Sequence, residues 1–279
     1  MLYIIIVLYK TKLEDSLTYK TIKSKIDKLK NLRKKILIYN NSPEIEIPLS
    51  NDYVIYTPTE NLMLAGAYNY ALEDAERGGY KWLLLLDQDT EITEEYFIEL
   101  NNFLVSPESN NYDVILPILR SREYYLSPLI CRKDVGPFAY IRQVCSQDDL
   151  CSLHEDSFIV GYNSVSLLSV AKLKQVSGFG EQFPLDMLDY YYYYRLSQIN
   201  CKVYILPVNL QQNLSLLEEN AVMSKTRYNN YLFSSLKFAK ILGFKSIFYF
   251  KIRLIIDFVR QFKNKNIHKE ILIKYLFKW

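Results

Sequence analysis

Two aspartates separated by one residue follow a run of four leucines. The segment 81–90, Lys-Trp-Leu-Leu-Leu-Leu-Asp-Gln-Asp-Thr, predicts a strand buried on both faces that ends on Asp87 and Asp89. In open α/β sheets, ligands bind at the carboxyl ends of strands. Both acids lie on one side of an extended chain, so their oxygens could bind one hard divalent cation. The alternative is an acidic turn before a helix, and these ten residues alone do not decide between the two.

Alternating strands and helices position these acids. Apolar runs predict strands, and apolar residues at helical spacing predict amphipathic helices. Up to the acids, strands are predicted at 2–8, 36–39, 52–56 and 83–86, and helices at 15–32 and 65–77. This order is typical of an α/β fold with a mostly parallel sheet.

After the acids, strands and helices continue to about residue 206, and from residue 221 the apolar pattern is helical throughout. Helices are predicted at 93–104, 171–176 and 186–199, strands at 114–117 and 203–206, hairpins and loops over 120–155, and extended chain over 158–168. From residue 221 the period is helical, with two apolar stripes separated at Gly243. We therefore predict a domain over residues 1–219 and a helical extension over 220–279.

Composition restricts the class and location of the protein. Of 279 residues 49% are apolar, and Gly and Pro together number 17, which predicts a folded chain with a substantial core. The four cysteines lack zinc-site spacing and are predicted to be free thiols in a reducing compartment. No basic leader and no apolar run of about 20 residues is present, so we predict a cytoplasmic protein.

Charge is distributed unevenly along the chain. Residues 220–279 contain 13 Lys or Arg against Asp257 and Glu270, a net charge of +11, whereas residues 1–219 carry −8. A basic extension with apolar stripes fits an interfacial helix on the inner face of the cell membrane. It equally fits a helical cap on the acidic body or a homodimer contact. No nucleic-acid-binding motif accompanies the charge, so nucleic acid is not a predicted partner.

Five motifs occur in one order along the chain. They are Tyr9; Tyr39-Asn40-Asn41-Ser42; the segment 61–69, Asn-Leu-Met-Leu-Ala-Gly-Ala-Tyr-Asn; Asp87-Gln88-Asp89; and the segment 178–189 followed by Arg195. Together they resemble the family 2 glycosyltransferases, in particular their bacterial rhamnosyltransferase-like branch, over about residues 2–230. The resemblance implies a GT-A fold, a Rossmann-like and mostly parallel central sheet flanked by helices, here with a C-terminal helical extension.

The resemblance implies a nucleotide-sugar donor, such as a UDP- or dTDP-sugar. Asp89 would hold Mg²⁺ or Mn²⁺ against the diphosphate, and Asp87 would contact the ribose or the metal. Such a cation stabilises the departing diphosphate, and hard oxygen ligands suit either ion. Four further residues would bind the donor: Tyr9 and Asn40, at the base and ribose, with Ser42 and Asn69.

The resemblance also implies a general base for the acceptor hydroxyl. In the family this carboxylate stands six residues before an Arg, a spacing that Asp189 and Arg195 reproduce. Asp186 lies three residues earlier, on the same helix face if the predicted helix includes both. It would support the base or contact the acceptor, or it could cap the helix. A single attack assisted by one base would invert the anomeric configuration.

The chain departs from the family pattern at three positions. The family usually has an Asp near Asn40, a Gly where Met63 stands, and a metal-binding His where the chain has Gln212. An amide oxygen binds Mn²⁺ more weakly than imidazole does. Gln212 is nevertheless the predicted third ligand, beside Asp87 and Asp89.

The predicted function is therefore that of an inverting glycosyltransferase. Rhamnose, galactose or glucose would pass to a glycan, lipid-linked or glycoprotein acceptor in the synthesis of bacterial surface polysaccharides or glycoconjugates. A non-catalytic glycosyltransferase-like subunit of a glycosylation complex is the alternative, motivated by the three departures. A nucleotidyltransferase is disfavoured, because the segment 9–13 after the first strand lacks the Gly-rich loop that grips a triphosphate.

Overall fold

A computed structural model of the chain describes residues 1–30, 32–151, 153–212, 223–261 and 268–278. These form two compact units. Unit 1 comprises Met1–Leu129, Gln143–Ser152 and Ile159–Asn213, and unit 2 comprises Ile130–Arg142, Leu153–Phe158 and Leu214–Trp279. The boundary predicted between 219 and 220 lies outside the described residues and stays a prediction.

Twelve strands are present in the described residues. They are β1 (Leu2–Leu8), β2 (Lys34–Asn40), β3 (Val54–Tyr56), β4 (Trp82–Asp87), β5 (Thr90–Glu91), β6 (Val114–Ser121), β7 (Tyr124–Ser127), β8 (Leu129–Arg132), β9 (Arg142–Gln143), β10 (Ser157–Val160), β11 (Ser166–Ser169) and β12 (Val203–Gln212). Nine form one sheet in the order β3-β2-β1-β4-β11-β6-β12-β5, with β7 paired to β6. The other three form a small sheet in the order β10-β8-β9.

The centre of the large sheet is parallel and buried. All seven residues of β1 are buried, as its β-branched run predicts. β1 pairs in parallel with both β2 and β4, which sets Leu8 opposite Asn40 and Val7 opposite Asp87. The carboxyl ends of three neighbouring strands therefore meet at one edge of the sheet, where the predicted donor residues stand.

One strand makes the sheet mixed. β11 runs antiparallel to both of its neighbours, β4 and β6. Its residues belong to the stretch 158–168 that was predicted to be extended, which the structure divides into β10 and β11. Beyond β11, β12 runs parallel to β6 and antiparallel to β5, and so reaches the edge that holds the carboxyl end of β4.

Five helices belong to unit 1: α1 (Leu17–Lys23), α2 (Met63–Arg77), α3 (Glu94–Val105), α4 (Val170–Gln175) and α5 (Leu188–Gln198). The prediction of one helix over 15–32 is wrong in length, because α1 ends at Lys23 and a 3₁₀ turn follows at Ile26–Lys28. The hydroxyls of Thr21 and Ser24 hydrogen-bond to nearby carbonyls, a local alternative to continuing the helix.

Unit 2 contains α6 (Lys225–Leu242), α7 (Phe244–Gln261) and α8 (Lys269–Phe277). Gly243 separates α6 from α7 at φ +108°, a backbone conformation that favours glycine, and the predicted break there is confirmed. The predicted start of the helical region at 221 and the stripe residue Phe262 lie outside the described residues. No helix within the described ranges is both long and apolar enough to cross a membrane.

Candidate active site

The Asp87–Thr90 turn connects β4 to β5 and is held by buried hydroxyls. Thr18 Oγ1 donates to the carbonyl of Asp87 at 2.5 Å and accepts from the Thr90 N–H at 2.9 Å. Ser164 Oγ accepts from the Asp87 N–H at 3.3 Å and hydrogen-bonds to Thr90 Oγ1 at 2.5 Å. Because Thr18, Thr90 and Ser164 are all buried, these bonds are shielded from water and fix the turn.

Gln212 lies beside this turn because of strand pairing. β12 and β5 align Gln212 with Thr90, and Gln212 Nε2 donates to Asp89 Oδ1 at 3.4 Å. The same amide interacts with Asp87 and partly opposes the rise in its pKa that burial causes. Two carboxylates and one amide, separated by up to 125 positions in the sequence, therefore lie close together, and their predicted role as metal ligands stays a prediction.

The Gln212 amide leaves one polar atom without a partner. Its side chain is only 4% exposed, and Oε1 has no hydrogen bond. A buried acceptor without a partner costs about 1–3 kcal/mol, which a bound cation would offset. Among the described residues, no group of three His, Cys, Asp or Glu could hold a metal, so the available donor set is two carboxylates and this amide oxygen. An all-oxygen set fits Mg²⁺ or Mn²⁺.

The electrostatics of the two acids also favour a cation. Burial, followed by the neighbouring charge of Asp89, raises the pKa of Asp87 to about 7. Burial likewise raises the pKa of Asp89. Burial and mutual repulsion make it unfavourable for both acids to be ionised at once. A divalent cation between them would offset this unfavourable free energy.

Asp189 belongs to the same cluster. It lies in the first turn of α5, where its Oδ1 accepts from the Tyr190 N–H at 2.9 Å. Burial raises the pKa of Asp189 to about 6, and its charge in turn contributes to the raised pKa of Asp87. A carboxylate with a pKa near neutrality is suited to accept a proton in catalysis.

Asp186 is placed differently from the prediction. α5 begins at Leu188, so the helix does not include both acids and they do not share one of its faces. The N-cap is Met187 rather than Asp186, and its φ of +63° turns the chain in the left-handed region before the helix starts. The expectation that both acids share one helix face and the alternative of an Asp186 cap are therefore wrong. The role of Asp186 as support for the base or as an acceptor contact stays a prediction.

Tyr68 is a site residue that the sequence analysis did not single out. Its hydroxyl donates to Asp87 Oδ1 at 3.2 Å, and its ring packs against Phe179 with centroids 5.1 Å apart. Tyr68 stands next to Asn69 in the third motif, which was the one available signal. For Thr18 and Ser164 the sequence gives none, because their contacts join residues 69 to 77 positions apart.

The Asn69 side chain hydrogen-bonds to both the N–H and the carbonyl of Phe179. Its Nδ2 donates to the Phe179 carbonyl at 2.8 Å, and its Oδ1 accepts from the Phe179 N–H at 2.9 Å. The preceding Gly178 has φ +68°, and a Cβ there would lie 2.6 Å from Asn69 Oδ1, so glycine is required. Asn69 thus connects α2 to the segment before α5, and its predicted contact with the donor stays a prediction.

Tyr9, Asn40 and Ser42 lie at the ends of β1 and β2. The Tyr9 N–H donates to Gln88 Oε1 at 2.8 Å, and Ser42 Oγ accepts from the Lys10 N–H at 2.7 Å. Asn40 is 1% exposed, and its amide hydrogen-bonds to the Ile45 carbonyl and the Ser42 N–H. Both strand ends therefore connect to the edge that holds Asp87, while donor contacts by these three residues remain predictions.

Met63 occupies a backbone conformation that favours glycine, the residue expected there from the resemblance. Its φ is +58°, in the left-handed region that side chains with a Cβ rarely adopt. The neighbouring Asn41 stabilises this start of α2, because its Oδ1 accepts from the Leu62 N–H and its Nδ2 donates to the Met63 carbonyl. The Asn41 hydrogen bonds therefore hold Met63 in a left-handed conformation at the start of α2.

Comparison with known proteins identifies the fold. No family model and no curated protein matches the sequence. Residues 1–349 of S. aureus TarS match 99% of this chain and 69% of that fragment, with TM-score 0.50 and 10% identity. The same fragment with UDP-GlcNAc matches 99% of this chain and 70% of its own length, with TM-score 0.50 and 12% identity.

GalNAc-T7, solved with UDP, GalNAc and Mn²⁺, matches 83% of this chain with TM-score 0.55 and 10% identity. The match covers 46% of GalNAc-T7, so the chain spans about half the length of that protein. Identities this low show the fold alone. The chain has the fold of GT-A glycosyltransferases, a central α/β sheet flanked by helices, as predicted.

Proposed function

We propose that the chain is a metal-dependent, inverting glycosyltransferase. The observation that supports this most is the meeting of Asp87, Asp89 and Gln212 with Asp189 at the carboxyl edge of the sheet. Asp87, Asp89 and Gln212 suit a cation that neutralises a diphosphate. Asp189 suits an alcohol that must lose a proton. Assignment to family 2, and to its rhamnosyltransferase-like branch, belongs to the same proposal and rests on the five motifs.

Each residue has a separate task in this proposal. Asp87, Asp89 and the Gln212 amide oxygen would hold Mg²⁺ or Mn²⁺, which neutralises the charge that develops on the departing diphosphate. Asp189 takes the proton of the acceptor hydroxyl as that oxygen forms its bond to the anomeric carbon. The bond from the anomeric carbon to the diphosphate oxygen breaks, and its electron pair leaves with the diphosphate. Attack from the opposite side inverts the configuration.

The donor is a UDP- or dTDP-sugar, with UDP-sugars to be tested first because two of the similar structures contain UDP or UDP-GlcNAc. Rhamnose, galactose and glucose are the proposed sugars. The acceptor is a hydroxyl of a glycan, lipid-linked or glycoprotein molecule in bacterial surface glycoconjugate synthesis. The reaction would take place in the cytoplasm.

A screen by thermal shift tests the proposal directly. UDP, UDP-sugars and dTDP-sugars are each added with and without Mn²⁺, because a ligand of the folded state raises Tm by mass action. We expect a rise with at least one nucleotide sugar that requires Mn²⁺ and is absent in Asp89→Asn. Glu91→Gln, an exposed acid two residues away, is the matched control and should keep the full shift.

A non-catalytic subunit of a glycosylation complex is the second candidate. It is favoured by Asn40, because the side-chain amide already hydrogen-bonds to the backbone of Ser42 and Ile45 in its own turn instead of facing a nucleotide. Calorimetry with UDP and Mn²⁺ separates the two functions. Binding of UDP supports the enzyme, whereas the absence of heat with every nucleotide in the screen would favour the subunit.

A further inference from the structure

Helix α7 has two apolar faces, of which one is buried. The buried face carries Ser246, Phe250 and Leu254. A second set of four apolar residues is exposed and defines the outer stripe: Phe244 (74%), Phe248 (55%), Ile255 (49%) and Val259 (60%). Their separations of four, seven and four positions place them on one side of a helix. Contiguous exposed apolar surface of this kind marks an interaction site.

Contacts within unit 2 fix the rotation of α7 about its axis. The segment 130–142 supplies them: Asp134 to Lys245 Nζ (2.6 Å), the Val135 carbonyl to Ser246 Oγ (3.3 Å), Phe138 to the Phe250 ring (5.3 Å between centroids) and the Pro137 carbonyl to Arg253 Nη1 (3.2 Å). These contacts use the side of the helix away from the outer stripe or along its border. The stripe therefore cannot turn inward without breaking them.

The positive charge of residues 220–279 indicates which kind of partner the outer stripe would bind. In residues 220–279, 13 Lys or Arg stand against two acids, a net charge of +11. Lys240 of α6 is exposed, whereas Lys245 is paired with Asp134 and Arg253 donates to the Pro137 carbonyl. A second copy docking through the same face would bring like charges together. An anionic surface would attract them, and each cation near a negatively charged bilayer contributes favourably until salt screens it.

We propose that the outer stripe of α7 docks on an anionic lipid bilayer. The apolar side chains enter the boundary between headgroups and acyl chains, while the excess positive charge of residues 220–279 is attracted to the lipid headgroups. This inference goes beyond sugar transfer and does not depend on it.

Vesicle flotation of the full chain tests the proposal. The vesicles contain phosphatidylcholine alone, or phosphatidylcholine with roughly one third phosphatidylglycerol, as an anionic surface. We expect binding to the anionic vesicles that weakens as salt rises from about 0.1 M to 0.5 M. The double variant Phe248→Glu and Ile255→Glu should bind at least about tenfold more weakly, because it replaces apolar contact with charge. Leu49→Glu, at an exposed leucine of unit 1, should bind like the unchanged protein.

A conservative variant keeps the test decisive even if the double variant folds poorly. Phe248→Trp should show a blue-shifted emission on adding anionic vesicles, because the indole leaves water. The proposal is overturned by an absent shift, by equal flotation of the unchanged protein and a folded double variant, or by no flotation at all. A dimer in sedimentation that the same double variant dissociates, without vesicle binding, would identify the stripe as a contact between copies instead.

Discussion

The Asp87–Thr90 turn and the Asp186–Asp189 segment each place two aspartates within four residues, but the chain around them differs. Around the first pair, the buried hydroxyls of Thr18 and Ser164 hold the turn, and Gln212 reaches both acids. Around the second, the left-handed Met187 interrupts the chain, and Asp189 alone enters the helix. The charge of Asp186 still contributes to the raised pKa of Asp189, but the two acids do not share a helix or a common hydrogen-bonded turn as the first pair does.

Loss of the Asp189 carboxylate should have the largest effect. Asp189→Asn keeps the size of the side chain but cannot accept a proton, so we expect sugar transfer at saturating donor to slow by about 10²–10⁴-fold. Asp186→Asn is the matched control, with an expected change below about tenfold. Release of nucleoside diphosphate in the presence of acceptor measures both rates. Equal losses in the two variants would mean that the second pair acts together after all.

The pH profile of the rate sharpens the role of Asp189. Its pKa is raised to about 6 by burial, and only its deprotonated form accepts a proton. Transfer should therefore fall about tenfold for each pH unit below 6 and level off above it. The residual rate of Asp189→Asn should lack this acidic limb. A limb that persists unchanged in the variant would assign the titration to another group.

Removal of one hydroxyl tests the rigidity of the first pair. Thr18→Val leaves the Thr90 N–H without its buried acceptor, so we expect the free energy of unfolding to fall by about 1–3 kcal/mol. Thr11→Val is the control, because within the described residues its hydroxyl bonds to the Tyr9 carbonyl near the surface, and it should change stability by less than about 0.5 kcal/mol. Urea unfolding compares them. Similar losses of unfolding free energy in the two variants would mean that the buried Thr18 hydroxyl does not stabilise the turn.

Asp87→Asn should stabilise the metal-free protein while weakening its binding of UDP with Mn²⁺. The pKa of Asp87 is about 7 in the folded state and about 3.9 when unfolded, so between these values the folded state binds more protons and loses stability as pH rises. At pH 8 we expect a gain of about 1 kcal/mol, or ~2–4 °C in Tm, which vanishes near pH 4. Differential scanning calorimetry across this range measures it. An unchanged Tm at pH 8 would contradict the strained state of the first pair.

Much of the fold was predictable because it depends on local apolar patterns. Buried runs such as Leu2–Leu8 and Leu83–Leu86 identified the central strands, and their ends located the edge that carries Asp87. The antiparallel direction of β11 was not predictable, because a short apolar strand does not specify which neighbours it pairs with. The early end of α1 depends on hydroxyl bonds that apolar periodicity does not report.

The site was predictable only in part, for a related reason. Asp87, Asp89 and Asp189 stand in short motifs, whereas Gln212 was named only from the resemblance, and the structure places it at the end of β12, which is longer than the predicted strand 203–206. The contacts of Tyr68, Thr18 and Ser164 form only once distant segments have folded together. Met187 separates Asp186 from the helix. Its left-handed conformation could not be predicted, because methionine rarely adopts it.

Tyr68 and Asn69 are adjacent on α2, yet one bonds to Asp87 and the other to the backbone of Phe179, ten residues before Asp189. The acids proposed to bind the cation and the segment that leads to the proposed base are thus both connected to a single short stretch of one helix. A shift of α2 by one residue would alter both at once, so these two neighbouring positions should evolve together rather than independently.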